Sequence, residues 1–212
     1  HYFDLFLMEA HYKFESFMIY MEKNRPPWER FYLPRRNPLS KVAQLIQDLY
    51  DDKLDEGMVF CPGRIGKTQI VKMGNLWFGS NRPERSNLYS AYSDKITGGF
   101  YDGTLEMVND PTYTYKDIYP KIVEKKAITD GKDLTIDFLR KKTYPTFTMR
   151  SIYGTLNGAC DCDGLGVYDD LFSGIDEALS EDRQATVWGK FDNNFMPRIK
   201  PGKAKLLGIG TR

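Results

Sequence analysis

The stretch over residues 58–68, MVFCPGRIGKT, constrains this chain more than any other. An apolar run breaks into a short loop ending in Gly66-Lys67-Thr68, and helix-compatible sequence follows. It reads as a buried strand, a turn and the start of a helix. That order turns successive backbone N–H groups, a helix N-terminus and a lysine toward one anion, as a nucleoside triphosphate requires. The pattern G-x-x-x-x-G-K-[ST] wants glycine where Cys61 stands, so the short core Gly66-Lys67-Thr68 carries the signal. The same core also arises as a glycine turn capping a helix, with Lys67 a solvated charge. The rest of the chain has to supply the partners that separate the two readings.

One such partner lies at residues 165–170, LGVYDD, a short apolar strand that delivers Asp169 and Asp170 at its C-terminal end. Ligands bind at that end in open parallel sheets. Phosphoryl transfer needs the β- and γ-phosphates held, a magnesium ion bridging them and a positioned nucleophile. Lys67 then serves the phosphates of ATP, the Thr68 hydroxyl ligates Mg2+, and Asp169 holds the ion directly or through water. Asp170 orients or deprotonates the attacking water. Arg64, inside the loop, either reaches a γ-phosphate or a neighbouring acid, or faces solvent.

Around these motifs the elements alternate. Apolar groups at Phe3, Phe6, Ala10, Phe14, Phe17 and Met21 recur in steps of three and four and predict one amphipathic helix over 2–22. A proline-broken linker follows. A second helix is expected with Asn37 at the N-cap and Pro38 at the first helical position, its buried stripe being Leu39, Val42, Ile46 and Leu49. After the loop come a helix over 67–78, a strand over 87–91, and a helix capped by Ser93-Asp94 that runs to about residue 109. Residues 134–138 and 147–153 alternate like two or three strands, with a hairpin as one arrangement. A long helical stretch is expected over 174–196 and a last buried strand over 203–209. The alternation predicts an α/β fold with a central, mainly parallel sheet flanked by helices.

Composition closes off several classes. At 41% hydrophobic and 28% charged residues the chain is globular rather than disordered. A formal charge of +1 gives no global attraction to nucleic acid, so any DNA contact needs a local patch. The run Arg140-Lys141-Lys142 is a solvated turn or, as the sharper alternative, that patch. Three cysteines are too few for a disulfide scaffold and fit a reducing compartment; Cys160 and Cys162 read as small turn residues rather than zinc ligands. Charges interrupt the apolar N-terminal stretch well before a membrane span is complete. The chain begins without methionine and stops just after an apolar run, which suggests a piece of something longer.

Taken together, CPGRIGKT, LYSAYSD, GLGVYDDLFSGIDEA and KAKLLGIGTR resemble the ATPase domain of the large terminase subunit, the DNA-packaging motor of tailed bacteriophages. The resemblance runs from about Phe31 to Arg212 and implies a P-loop NTPase fold of the ASCE type. Residues 1–36 are then an N-terminal helix and linker and 37–212 the ATPase domain, with a C-terminal nuclease domain lying beyond this chain. It implies a deviant phosphate loop carrying Arg64, with Gly63, Arg64, Ile65, Gly66, Lys67 and Thr68 around the nucleotide and Mg2+ on Thr68 and Asp169. It further implies an adenine-recognising glutamine at Gln44 and a coupling motif that puts Thr211, with Arg212, near the γ-phosphate. Relatives often carry an arginine finger where this chain has Ala159, so the finger is either elsewhere, with Arg150 and Arg183 as candidates, or is not built this way. The implied partners are double-stranded DNA, a portal protein, a small terminase subunit and further copies in a ring, in the host cytoplasm. A helicase-like DNA-dependent ATPase and a degenerate nucleotide-binding assembly module without turnover are the rival readings.

Overall fold

The computed structural model describes residues 2–124, 128–130, 133–139 and 143–211. The chain opens with two short helices, α1 (Tyr2–Glu9) and α2 (Phe14–Met21), where the periodicity predicts a single one. The spacing of apolar side chains continues across the break, which is why the pattern hides it. Lys13 adopts an extended conformation, and the side chain of Gln47 bridges the turn. Its Oε1 accepts from the Phe14 N–H at 2.8 Å, and its Nε2 donates to the Tyr12 carbonyl at 2.9 Å. A distant amide thus replaces the backbone bonds that a continuous helix would have made.

Two 3-10 turns, Pro27–Glu29 and Leu33–Arg35, carry the chain into α3 (Arg36–Tyr50). The second turn runs directly into the helix, so Arg35 is the N-cap and Asn37 lies inside, against the predicted cap at Asn37. Leu39, Val42, Ile46 and Leu49 form the buried stripe that the spacing predicts. Glu22 is almost fully buried and accepts from the backbone N–H groups of Phe31 and Tyr32 at 2.9 and 3.0 Å, which ties the linker down. Burial pushes its carboxyl above the ordinary range, although those same hydrogen bonds oppose the shift.

The remaining elements follow in order: β1 (Glu56–Cys61), α4 (Lys67–Asn81), β2 (Asn87–Ala91), α5 (Asp94–Asn109), α6 (Tyr115–Ile118), α7 (Pro120–Glu124), β3 (Ile128–Asp130), β4 (Thr135–Asp137) and β5 (Phe147–Ser151). Then come β6 (Leu165–Asp169), α8 (Ile175–Leu179), α9 (Glu181–Lys190) and β7 (Lys205–Thr211). Among the described residues these strands form one seven-stranded sheet in the order β1-β7-β6-β2-β5-β4-β3. The first five are parallel, while β4 pairs antiparallel with both β5 and β3. The molecule is therefore α/β with a mostly parallel sheet flanked by helices.

Two further elements depart from expectation. Among the described residues β1 is a sheet edge paired only with β7: Val59 and Cys61 are buried, but Met58 and Phe60 are 50% and 62% exposed. A run that is apolar on both faces cannot tell a central strand from an edge that leaves one face open. The helical stretch after β6 is broken at Ser180, which is extended, and ends in a π turn over Phe191–Phe195 and a 3-10 turn over Met196–Arg198.

The main core joins α2, α3, α4, α5 and the inner strands, with Trp77, Phe14, Phe17, Tyr89 and Phe147 among its fully buried side chains. A smaller cluster around Leu88, Cys160, Cys162, Val187 and Phe195 fills the space beneath α9. The three cysteines are free and buried, and burial pushes the Cys160 thiol up to about 12, so they serve as small apolar residues. Among the described residues no helix is long and apolar enough to cross a membrane.

Candidate phosphate-loop site

Residues 62–66 connect β1 to α4 and stand at the C-terminal ends of the parallel strands. Two of them hold left-handed backbone conformations: Arg64, at φ 65°, and Gly66, at φ 98°. Gly66 is the N-cap of α4 and offers no side chain to the helix's first N–H groups, which stay open to an anion. A Cβ on Gly66 would also stand 2.3 Å from the ring of Phe31, so the linker packs against the loop at this point. Gly63 is different, since a Cβ there would meet nothing within 4 Å. Ile65 is half-buried against the main core, and Arg64 is exposed.

Gly66→Ala therefore combines backbone strain with a clash. A left-handed alanine costs about 1–2 kcal/mol, and Phe31 must move besides. If the loop binds a nucleotide, as the sequence reading expects, the change should weaken that binding roughly tenfold or more, with a smaller effect on melting temperature. Titration of a fluorescent ATP analogue against both proteins measures it.

Lys67 begins α4, is 7% exposed, and reaches across to the end of the sheet. Its Nζ pairs with the Asp170 carboxylate and with Oγ1 of Thr211. Asp170 lies just past β6 at φ 39° and is tied to the last residue of β7. The Thr211 N–H donates to Asp170 Oδ1 at 2.7 Å, and the Thr211 hydroxyl stands 2.8 Å from Oδ2. One residue earlier, Asp169 is 2% exposed. Its Oδ2 accepts from the Thr68 hydroxyl at 2.9 Å and from the Tyr89 hydroxyl at 3.0 Å. Its Oδ1 is buried with no hydrogen-bond partner. Desolvation raises the Asp169 carboxyl above its usual range, against the hydrogen bond from Thr68.

Because β7 sits between β1 and β6, the loop, the acidic pair and Thr211 meet at one end of three adjacent strands. The arrangement can hold an anion on Lys67 and the α4 N-terminus. It can also hold a hard cation on an all-oxygen set of Thr68 and the two aspartates. The partnerless Asp169 Oδ1 fits an acceptor meant for a cation or its water, since an unpaired buried carboxylate oxygen is otherwise costly. Among the described residues no group of three or more His, Cys, Asp or Glu could hold a metal, so phosphates and water would complete the shell.

The structure thus brings Lys67, Thr68, Asp169, Asp170 and Thr211 together. It does not bring in Gln44, which is exposed on α3, donates to Asp48 at 2.9 Å and lines a surface groove with Tyr12, Tyr32 and Arg36. Phe31 and, further off, Arg35 are the residues of the linker that stand against Gly66 of the loop. Arg150 is committed to the Thr155 carbonyl at 2.7 Å and to Asp133 at 3.1 Å, while Arg183 is exposed on α9. The basic run at 140–142 and Arg212 lie outside the described residues. Sequence reasoning missed Tyr89 and Phe31. The alternation along β2 makes Tyr89 a core residue, and nothing local marks its hydroxyl as a partner of Asp169. No known family model and no curated protein matches the chain.

Proposed function

We propose that this chain is a P-loop ATPase domain that hydrolyses ATP with Mg2+, and that it is the motor part of a DNA-packaging protein of the large terminase type. The observation that supports the hydrolytic reading is the junction of Lys67, Asp170 and Thr211 beside the Thr68–Asp169 pair. Two strands and one helix far apart in sequence converge there on the groups that phosphoryl transfer uses.

In this reading Lys67 leaves Asp170 for the β- and γ-phosphates when ATP enters, and the N–H groups at the start of α4 bind the same phosphates. The released Asp170 carboxylate, still anchored by Thr211, accepts a hydrogen bond from the attacking water and orients it in line with the γ-phosphate. Thr68 and Asp169 hold the metal side of the nucleotide. Mg2+ bound there offsets charge on the phosphate oxygens. Arg64 stands exposed on the loop, where it can meet the γ-phosphate or an acidic group of a neighbouring copy.

The packaging role rests on the sequence resemblance, with double-stranded DNA, a portal protein, a small terminase subunit and a ring of further copies as partners in the host cytoplasm. The hydrolytic reading is tested by titrating ATP in a calorimeter and following phosphate release with and without Mg2+. Saturable binding with Mg2+-dependent release is the expected result. Tight binding with no release, also after addition of the partner subunits and DNA, would favour an assembly module instead.

A further inference from the structure

We infer that Tyr89 is a positioning residue for the metal side of this site: its hydroxyl holds Asp169 so that one carboxylate oxygen stays free for the cation. The inference rests on the ATPase reading and extends it to a residue on a strand that carries none of the loop or acidic motifs. Both donors to Asp169, Thr68 and Tyr89, converge on Oδ2, at 2.9 and 3.0 Å. Two donors from different directions on one oxygen fix the rotation of the carboxyl group, and the other oxygen is left buried and without a partner. A carboxylate that merely needed satisfying would share its donors between its two oxygens. The asymmetry is what a ligand awaiting a cation requires, because outer hydrogen bonds orient the ligand and leave its binding lone pairs open.

Tyr89 is built to hold that position. It is fully buried on β2, next to β6 in the sheet, with Ala91 paired to Asp169 in register. Its ring stacks on Phe100 of α5, with centroids 3.6 Å apart and planes 17° from parallel. The hydroxyl therefore cannot swing away without unpacking the core. Thr68 can ligate a cation through an oxygen lone pair while still donating to Asp169, so the two donors need not compete once the site is filled.

Tyr89→Phe removes the hydroxyl and keeps the stacked ring. The direct readout is Mn2+ uptake in the presence of ADP, followed by electron paramagnetic resonance, alongside ADP binding measured in EDTA. We expect Mn2+ affinity to fall about tenfold, the lower end for loss of an outer partner of a metal ligand, while metal-free ADP affinity stays within twofold of wild type. Equal Mn2+ uptake by the two proteins overturns the inference, as does an equal loss in both titrations, which would mark Tyr89 as structural. A wild-type chain that takes up no Mn2+ with ADP overturns the ATPase reading itself. Should Tyr89→Phe melt below the assay temperature, Phe100→Leu carries the test: it loosens the ring and retains the hydroxyl. A twofold to threefold loss of Mn2+ affinity is then expected, and unchanged uptake overturns the inference.

Discussion

Replacing Lys67 by alanine is expected to lower ATP turnover by roughly a hundred- to a thousandfold, the usual range for loss of one donor preorganised on developing charge. The lysine is nearly buried and faces the Asp170 carboxylate and the Thr211 hydroxyl, which in the ATPase reading holds its ammonium where the phosphates would arrive. Stability should change far less. The Asp170 side chain is 30% exposed and keeps both bonds from Thr211 when the lysine is gone. A partly exposed, solvent-screened pair is worth about 1 kcal/mol, which corresponds to a few degrees in a chain of this size. Phosphate release and a thermal melt on the same preparation separate the two effects. Turnover that survives Lys67→Ala would overturn the site assignment.

The pairing of Lys67 with Asp170 also bears on how such a site is gated. The acid proposed to orient water and the cation proposed to bind phosphate are paired with one another. In the ATPase reading, incoming phosphates would compete for Lys67 and free Asp170 in the same event, so the proposed water-orienting group would become available only when there is something to hydrolyse. Thr211 stays on Asp170 through its backbone N–H, which links the end of β7 to that exchange.

Parts of this were legible because they depend on local rules. β2 spans Asn87–Ala91, as the apolar run bounded by turn residues indicates, and Ser93 caps α5 by accepting from the Ile96 N–H. The loop, the helix after it and the strand leading to Asp169 follow from short-range pattern in the same way. What stayed hidden depends on partners far away in the chain. Gln47 replaces the backbone bonds between α1 and α2, and no periodicity marks a helix break that a distant amide repairs. Phe31 meets Gly66 from a linker that the buried Glu22 ties down, and nothing local in the sequence marks Glu22 for burial. The edge position of β1 depends on β7, the last strand of the sheet in chain order, taking its place between β1 and β6.

Trp77→Ala should give the largest loss of stability of any change considered, about 3–5 kcal/mol, or roughly 10 °C in melting temperature for a chain of this length. Trp77 lies on α4, the helix that carries Lys67, and is fully buried. Its ring packs against Phe14 of α2 and Tyr50 of α3, with centroids 5.4 and 4.2 Å away, and its Nε1 donates to the Ala10 carbonyl at 2.7 Å. Alanine would leave a large cavity and an unpaired carbonyl where three helices meet. The form of the transition matters as much as its midpoint. If the N-terminal helices were an arm resting on a self-sufficient domain, the variant would shed them early, with protease cleavage between residues 10 and 21 and an almost unchanged main melt. Because Phe14, Phe17, Trp77 and the strand residues Tyr89 and Phe147 belong to one buried cluster, we expect a single cooperative transition at lower temperature. Trp77→Phe, which keeps an aromatic ring in the site, should lose less than half as much. Two separate transitions in Trp77→Ala would show instead that the phosphate-loop helix does not depend on the N-terminal segment.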